Sequence, residues 1–246
     1  MKKDDKLSSY QAKQDLIQGR KAIASKDNKI AIVAAVAALA IALGGQLIYF
    51  NLGPGSQVAA EPTEEPTSDS QYSLPSPDLA EGRTWQSSLE IGGESVSLEL
   101  DGANAPQAVA NFVSLAKEGY FEGISCHRLV TEGIYVLQCG DPAGDGTGGP
   151  GYNFGPIENA PADDLYQEGA LAMARRGGDG TSMGSQFFIV YQDSTIPSDS
   201  AGGYTVFGRV TGGLEAIKAI AAAGTADGST DGRPASEVLL ANVSVE

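Results

Sequence analysis

The sequence predicts a mainly β fold, a closed antiparallel barrel of eight short strands with two helices, preceded by a single transmembrane helix and a disordered linker. Three observations carry that expectation. Residues 84–246 break into eight short runs in which apolar and polar side chains tend to alternate. Two stretches among them carry apolar residues at helical spacing instead. Ahead of this region lie twenty-one uncharged residues and then a segment rich in Pro, Ser, Thr and acidic residues.

Residues 1–29 hold eight of the 16 basic residues and four of the 31 acidic ones, and residues 30–50 hold no charge, so the 8 and 27 that remain follow Phe50. A net charge of -15 excludes a nucleic-acid footprint. Ile30 to Phe50 has the length of about 20 apolar residues that a helix needs to cross a bilayer. The basic tail before it predicts a cytoplasmic N-terminus and an exported C-terminal bulk, at the cell membrane. A cleaved signal peptide, with the small residues Val58-Ala59-Ala60 at the cut, and a buried core helix are the competing readings. The length of the apolar run favours an uncleaved anchor. Residues 51–83 carry five prolines among Ser, Thr, Glu and Asp with few large apolar residues, and read as an extended linker. The folded domain is then 84–246.

Within that domain, Trp85 to Ile91 and Val96 to Leu100 flank Gly92-Gly93 as a hairpin. Pro106 to Lys117 reads as an amphipathic helix stopped by Gly119. Cys126 to Val130 and Ile134 to Cys139, joined by Thr131-Glu132-Gly133, form a second hairpin. A glycine-rich loop from Pro142 to Gly151 follows, then strands at Leu171 to Arg175, Gln186 to Tyr191 and Tyr204 to Val210. A second helix, Leu214 to Ala223, and a last strand, Glu237 to Val245, complete the count. A barrel suits so many short strands because closure removes exposed edges.

The second hairpin holds the densest chemistry. Alternation puts Arg128 on one face of its first strand, and Val136 and Gln138 on one face of its second. An arginine, a glutamine and an apolar side chain on one patch can grip a peptide carbonyl and bury a small ring. Three other patterns carry less. Gly144 to Gly149 satisfies G-x-G-x-x-G, but Pro150-Gly151 stands where the helix of a dinucleotide site must start. Gly180 to Gly184 satisfies G-x-S-x-G without the strand before it or the helix after it, and the one histidine lies upstream of the serine. One histidine and two cysteines make a poor metal site, and no cofactor is expected.

Several blocks then agree in order and spacing with a known family. They are Ala105-Pro106 with Val109-Ala110-Asn111-Phe112, Gly119-Tyr120-Phe121, His127-Arg128, Gln138-Cys139-Gly140-Asp141, Gly146-Thr147-Gly148-Gly149, Met173-Ala174, Gly184 to Ile189 and Val206-Phe207-Gly208. From Trp85 to Glu246 the chain resembles the cyclophilins, and within them the exported, membrane-anchored bacterial members. The resemblance implies a peptidyl-prolyl cis-trans isomerase built as an eight-stranded barrel capped by two helices, with proline-containing segments of unfolded or exported proteins as its partners. It makes Arg128 the catalytic arginine, with Gln138 and Gln186 holding the arginine and the substrate backbone. It assigns Tyr135, Val136, Phe188 and Ile196 to the walls of the proline pocket, Ala174 and Arg175 to the substrate-chain side, and Gly146 and Thr147 to the edge of the adjoining pocket. His127 is read as a structural hydrogen bonder.

The chain departs from the commoner family pattern in four places. Two residues are added between Arg128 and Gln138, the segment from Arg175 to Met183 is longer, Tyr204 replaces a histidine, and no tryptophan stands near Thr195-Ile196. The last departure implies weak binding of cyclosporin. Cys126 and Cys139 bracket the hairpin, and an exported domain sits where disulfides persist; a bridge and two buried thiols are both open at this stage. A tethered proline-peptide binding module or holdase, using the same cleft with little turnover, is the alternative function.

Overall fold

A computed structural model of the protein describes residues 71–246. The expected basic tail at 1–29, the anchor at 30–50 and the first part of the linker, 51–70, lie outside the described residues. Among the described residues no helix is long and apolar enough to cross a membrane.

The first hairpin forms as its pattern demands. β1 (Thr84–Ile91) and β2 (Glu94–Asp101) pair along their whole length, from Thr84 opposite Asp101 to Ile91 opposite Glu94. The two turn residues between them, Gly92 and Gly93, have φ of 62° and 88°, a left-handed pair that matches strand twist and that side chains resist. Trp85, Leu89, Ile91, Val96, Leu98 and Leu100 alternate inward and are buried.

Helix α1 (Pro106–Lys117) begins with proline, whose fixed φ suits the first turn. Its Ala105 cap offers no side-chain acceptor, and Glu158 supplies one from a distant loop. The Glu158 carboxylate accepts from the backbone N–H of Gln107 and of Ala108, both at 3.0 Å. It thereby satisfies two orphan donors and complements the helix dipole. At the far end the N–H of Gly119, which has φ of 71°, bonds to Ala116 O and the N–H of Tyr120 to Leu115 O. The buried face of α1 centres on Phe112, stacked on Phe121 at 5.0 Å and tilted or edge-on to Phe207 and Phe187 at 5.7 Å.

Five strands are shorter than the expected runs, β3 (Arg128–Val130), β4 (Val136–Cys139), β6 (Ala170–Met173), β7 (Phe187–Val190) and β11 (Leu240–Val245), while β9 (Val206–Gly212) keeps the expected length and starts two residues later. Helix α2 is Leu214–Ala222. Three two-residue strands add to the expected set: β5 (Leu165–Tyr166), β8 (Ser194–Thr195) and β10 (Asp231–Gly232). The main sheet runs β10-β3-β4-β7-β6-β9-β2-β1-β11.

This sheet corrects the expectation of a closed eight-stranded barrel. It is a nine-stranded half-barrel whose edge strands, β10 and β11, do not pair with each other. The reason lies in one chain excursion. The free edge of the β3 segment is met by β10 at Leu129 and Val130, and by residues 238–240 further down. Between those two meetings the chain leaves the sheet from Arg233 to Glu237, and Pro234 there has no N–H to give a ladder. Only a single bridge, Ser125 with Leu239, and backbone bonds such as Cys126 N–H to Val238 O at 2.8 Å span the gap.

Residues 71–83 also differ from the extended linker that composition predicts. Tyr72 packs edge-on against Tyr120 at 4.9 Å, and Pro75 O accepts from Gln107 Nε2 at 3.1 Å. Pro77 to Ala80 forms a turn of 3-10 helix, Ala80 is fully buried, and its carbonyl accepts from Trp85 Nε1 at 2.9 Å. A few apolar groups, Tyr72, Leu79 and Ala80, are enough to bind this stretch to α1 and β1.

Candidate active site

Strand register builds the site. Arg128 lies opposite Gln138, Val130 opposite Val136, Gln138 opposite Phe188, and Phe188 opposite Ala172. These residues therefore share one face of the sheet, while Leu129, Leu137, Ile189 and Leu171, alternating with them, point into the main core and are fully buried. Val130, Val136, Ala172, Phe188 and Val190 join Tyr166 and Ile196 in a second, smaller hydrophobic cluster on the outer face.

On that cluster sits a cavity of about 180 Å³. Of the residues expected to form the site, Arg128, Val136, Gln138, Ala174, Arg175, Phe188, Ile196 and Tyr204 all line it. Arg128 Nη1 donates to Gln138 Oε1 at 3.3 Å, and Gln138 Nε2 donates to Gln186 Oε1 at 2.8 Å. The three polar side chains thus form one hydrogen-bonded row beside the apolar floor.

Other expectations are corrected. Tyr135 does not line the cavity; Ile134 does. The period of two places 134, 136 and 138 on one face and 135 on the other, where the Tyr135 ring meets Tyr191 edge-on at 6.0 Å. Its backbone N–H is held by Ser194 Oγ at 2.8 Å.

Gln186 stands outside the cavity, and its amide nitrogen is already committed, donating to Gly146 O at 3.0 Å and Gly148 O at 2.9 Å. It ties the glycine loop to the polar row. Gly146 and Thr147, expected at the edge of an adjoining pocket rather than in this one, belong to that loop and do not line the cavity. The buried Asp141 organises them, accepting from the N–H groups of Ala143, Asp145 and Gly146. A Cβ at position 148 would collide with Asp141 Oδ1, which explains the glycine there.

Arg175 reaches the cavity with its guanidinium 4.6 Å from the centre of the Tyr204 ring. Its N–H groups are all engaged. Nε donates to Gly203 O, Nη1 to Arg176 O and Asp199 Oδ2, and Nη2 to Asp199 Oδ1 and Gly202 O. With its side chain 1 % exposed, Arg175 buttresses Tyr204 and the 199–203 turn and has no donor left for a bound peptide. Tyr204 in turn meets Phe188 edge-on at 5.5 Å.

Asp231, on β10, is a further polar neighbour of Arg128. It takes Arg128 Nε and Nη2 in two bonds of 2.7 Å each. This pair raises the Arg128 pKa and lowers that of Asp231, so both stay charged. No local pattern marks it, since it lies 103 residues from Arg128.

His127 is buried, and neither ring nitrogen has a protein partner, so it is not the hydrogen bonder expected. Burial pushes its pKa down, against the pull of Asp141. Cys126 and Cys139 are bonded to each other, which settles the open question in favour of the bridge. Among the described residues no group of side chains is placed to hold a metal ion. A larger groove of about 1070 Å³ crosses β2, β6 and β9, but its Glu99 and Glu168 are paired with Arg209 and Lys218.

An apolar hollow of this size, bordered by a guanidinium that Asp231 and Gln138 hold in place, has the shape for a small ring beside a hydrogen-bond acceptor. The family described as cyclophilin type peptidyl-prolyl cis-trans isomerase/CLD matches residues 87–245, more than half of the chain, and the protein belongs to that family. It is 46 % identical over 161 residues to a Mycobacterium tuberculosis protein named "Probable peptidyl-prolyl cis-trans isomerase B", covering 61 % of this chain and 50 % of the relative. It is 43 % identical over 127 residues to peptidyl-prolyl cis-trans isomerase B of Bacillus subtilis, covering 51 % of this chain and 82 % of that one. The chain thus spans about half the length of the mycobacterial relative. Among solved structures, a cyclophilin type peptidyl-prolyl cis-trans isomerase of Cryptosporidium parvum superposes with a TM-score of 0.56 at 26 % identity, covering 67 % of this chain and 98 % of that one. The same parasite protein in the presence of the dipeptide Ala-Pro gives 0.54 at 26 % identity, covering 65 % and 98 %.

Proposed function

We propose that this protein is a peptidyl-prolyl cis-trans isomerase that accelerates rotation about X-Pro bonds, with the cleft at Arg128 as its active site. The observation that carries the reading is the juxtaposition of the Arg128 guanidinium and Gln138 with the hollow floored by Phe188, Val136 and Ile196. The dipeptide in whose presence the parasite relative was solved contains the unit such a hollow fits.

The chemistry needs nothing more. Rotation of the bond is slow because twisting destroys amide resonance, a barrier of about 18–20 kcal/mol. No bond to carbon breaks. A site accelerates the reaction by fitting the twisted amide better than either planar form. As conjugation fades, the proline nitrogen recovers a lone pair, and Arg128 donates a hydrogen bond to it. Phe188, Val136, Ile134 and Ile196 hold the ring while the preceding carbonyl swings. A ten-thousand-fold acceleration requires about 5.5 kcal/mol. One charged donor fixed in a half-dry cleft, with apolar fit, supplies an effect of that order.

The cellular setting we propose rests on a different part of the chain. The uncharged run 30–50 with its basic flank favours a membrane anchor with the isomerase domain exported, where it would assist folding of exported proteins. A disulfide at Cys126–Cys139 is in keeping with an oxidising compartment. The decisive experiment is a protease-coupled assay on a proline peptide with the wild type and Arg128→Ala. Loss of most turnover in a folded variant is expected; unchanged isomerisation refutes the reading.

A further inference from the structure

We propose that Asp231 is a positioning residue for the isomerase reaction, one that fixes the plane of the Arg128 guanidinium and sets which of its N–H groups face the substrate. The inference rests on the isomerase reading above.

Arg128 is half exposed, its side chain 42 % accessible, so nothing in the core holds it in one rotamer. Two groups do. Asp231 takes Nε and one N–H of Nη2, and Gln138 takes one N–H of Nη1. Of the five guanidinium N–H groups, this leaves one on each Nη nitrogen for a substrate. A two-point carboxylate bond fixes direction as well as distance. An exposed ion pair adds little to stability, and a role in orienting the arginine accounts for it better.

Asp231 is itself held. β10 contains only two residues, paired as Asp231 with Val130 and Gly232 with Leu129, which puts the carboxylate diagonally beside Arg128. The segment before it is pinned three times. Thr131 N–H bonds to Thr230 O at 2.8 Å, Ser229 Oγ to Asp231 O at 2.9 Å, and Ser229 N–H to Asp227 Oδ1 at 3.0 Å. A short strand with this much bracing delivers one side chain to one place.

The test uses the wild type, Asp231→Ala, Asp231→Asn, Arg128→Ala and the Arg128→Ala/Asp231→Ala double variant, each checked for folding by circular dichroism. Proline-peptide isomerisation and peptide Kd are measured for all. Asp231→Ala should lose roughly 10- to 100-fold in kcat/KM, the scale of a misplaced catalytic group, with peptide Kd little changed. Asp231→Asn, which keeps one acceptor oxygen, should fall between. In the Arg128→Ala background, removal of Asp231 should change nothing further. If Asp231→Ala matches the wild type while Arg128→Ala is inactive, the positioning role is wrong and the isomerase reading stands. A further loss in the double variant makes Asp231 merely structural and also overturns the proposal. An active Arg128→Ala sinks the isomerase reading and this proposal with it.

Discussion

Arg128 and Gln138 are direct partners in the β3–β4 ladder, and the Arg128 Nη1 donates to Gln138 Oε1 across it at 3.3 Å. Gln138 then passes a second bond of 2.8 Å to Gln186, which holds the glycine loop. A glutamine is suited to the middle of such a row because it accepts on one atom and donates from another. Its role is to brace the guanidinium from the side opposite Asp231.

Gln138→Leu keeps the side chain's bulk and removes both functions. The guanidinium loses one of its two braces, and Gln186 Oε1 loses its donor. The expected outcome is a fall of about 10-fold in kcat/KM with secondary structure unchanged, since misorientation by an ångström costs up to about 100-fold. A proline-peptide assay beside circular dichroism checks it. Wild-type turnover would mean that Asp231 alone orients the arginine.

Most of the cleft was legible in the sequence because its residues lie on strands whose pattern has a period of two. Arg128, Val136, Gln138 and Phe188 follow from alternation plus family blocks, and all four line the cavity. Tyr135 failed by that same rule: it cannot share a face with Val136, and Ile134 takes the place. The remaining misses are long-range. Asp231, Glu158 and the braces on Arg175 act across loops, where no periodicity links the partners. The closed barrel failed because a count of strands does not reveal that the chain around Pro234 leaves the sheet.

The Cys126–Cys139 bridge ties the start of the β3 segment to the end of β4, immediately beside Arg128 and Gln138. It closes a loop with a sequence separation of 13. In the chain-entropy model a loop of that size contributes about 3 kcal/mol. A urea titration of the protein with and without reductant in the unfolded state should show a stability loss of that order. Equal midpoints would mean that the packed hairpin needs no crosslink.

Cyclosporin should bind more weakly than to the strongest binders in the family. The chain's one tryptophan, Trp85, is 3 % exposed and bonded to Ala80, so it cannot reach the cleft. The rim is formed instead by Ile196 and Tyr204, the latter held against Arg175. No indole N–H is available there to a cyclic peptide. Isothermal titration is the check, and nanomolar affinity contradicts the expectation.

His127 should make the fold sensitive to mild acid. It is the chain's single histidine, buried without a protein partner, and burial holds its folded-state pKa below the usual value. Asp141 and Asp145 pull that value up, while Arg233 and Arg128 push it down along with burial. In the unfolded chain the ring titrates near 6.5. Between that pH and the lower folded value, the unfolded state binds a proton that the folded state refuses. The stabilising contribution is therefore complete above about pH 6.5 and is lost as pH falls toward the folded pKa. Ordinary carboxylates titrate near 4 and leave the upper part of this window to the histidine. Melting temperature should drop by a few degrees from pH 7 to 5 in the wild type and much less in His127→Phe, where no proton can bind. Parallel slopes for the two proteins would show that His127 keeps its ordinary pKa in the folded state.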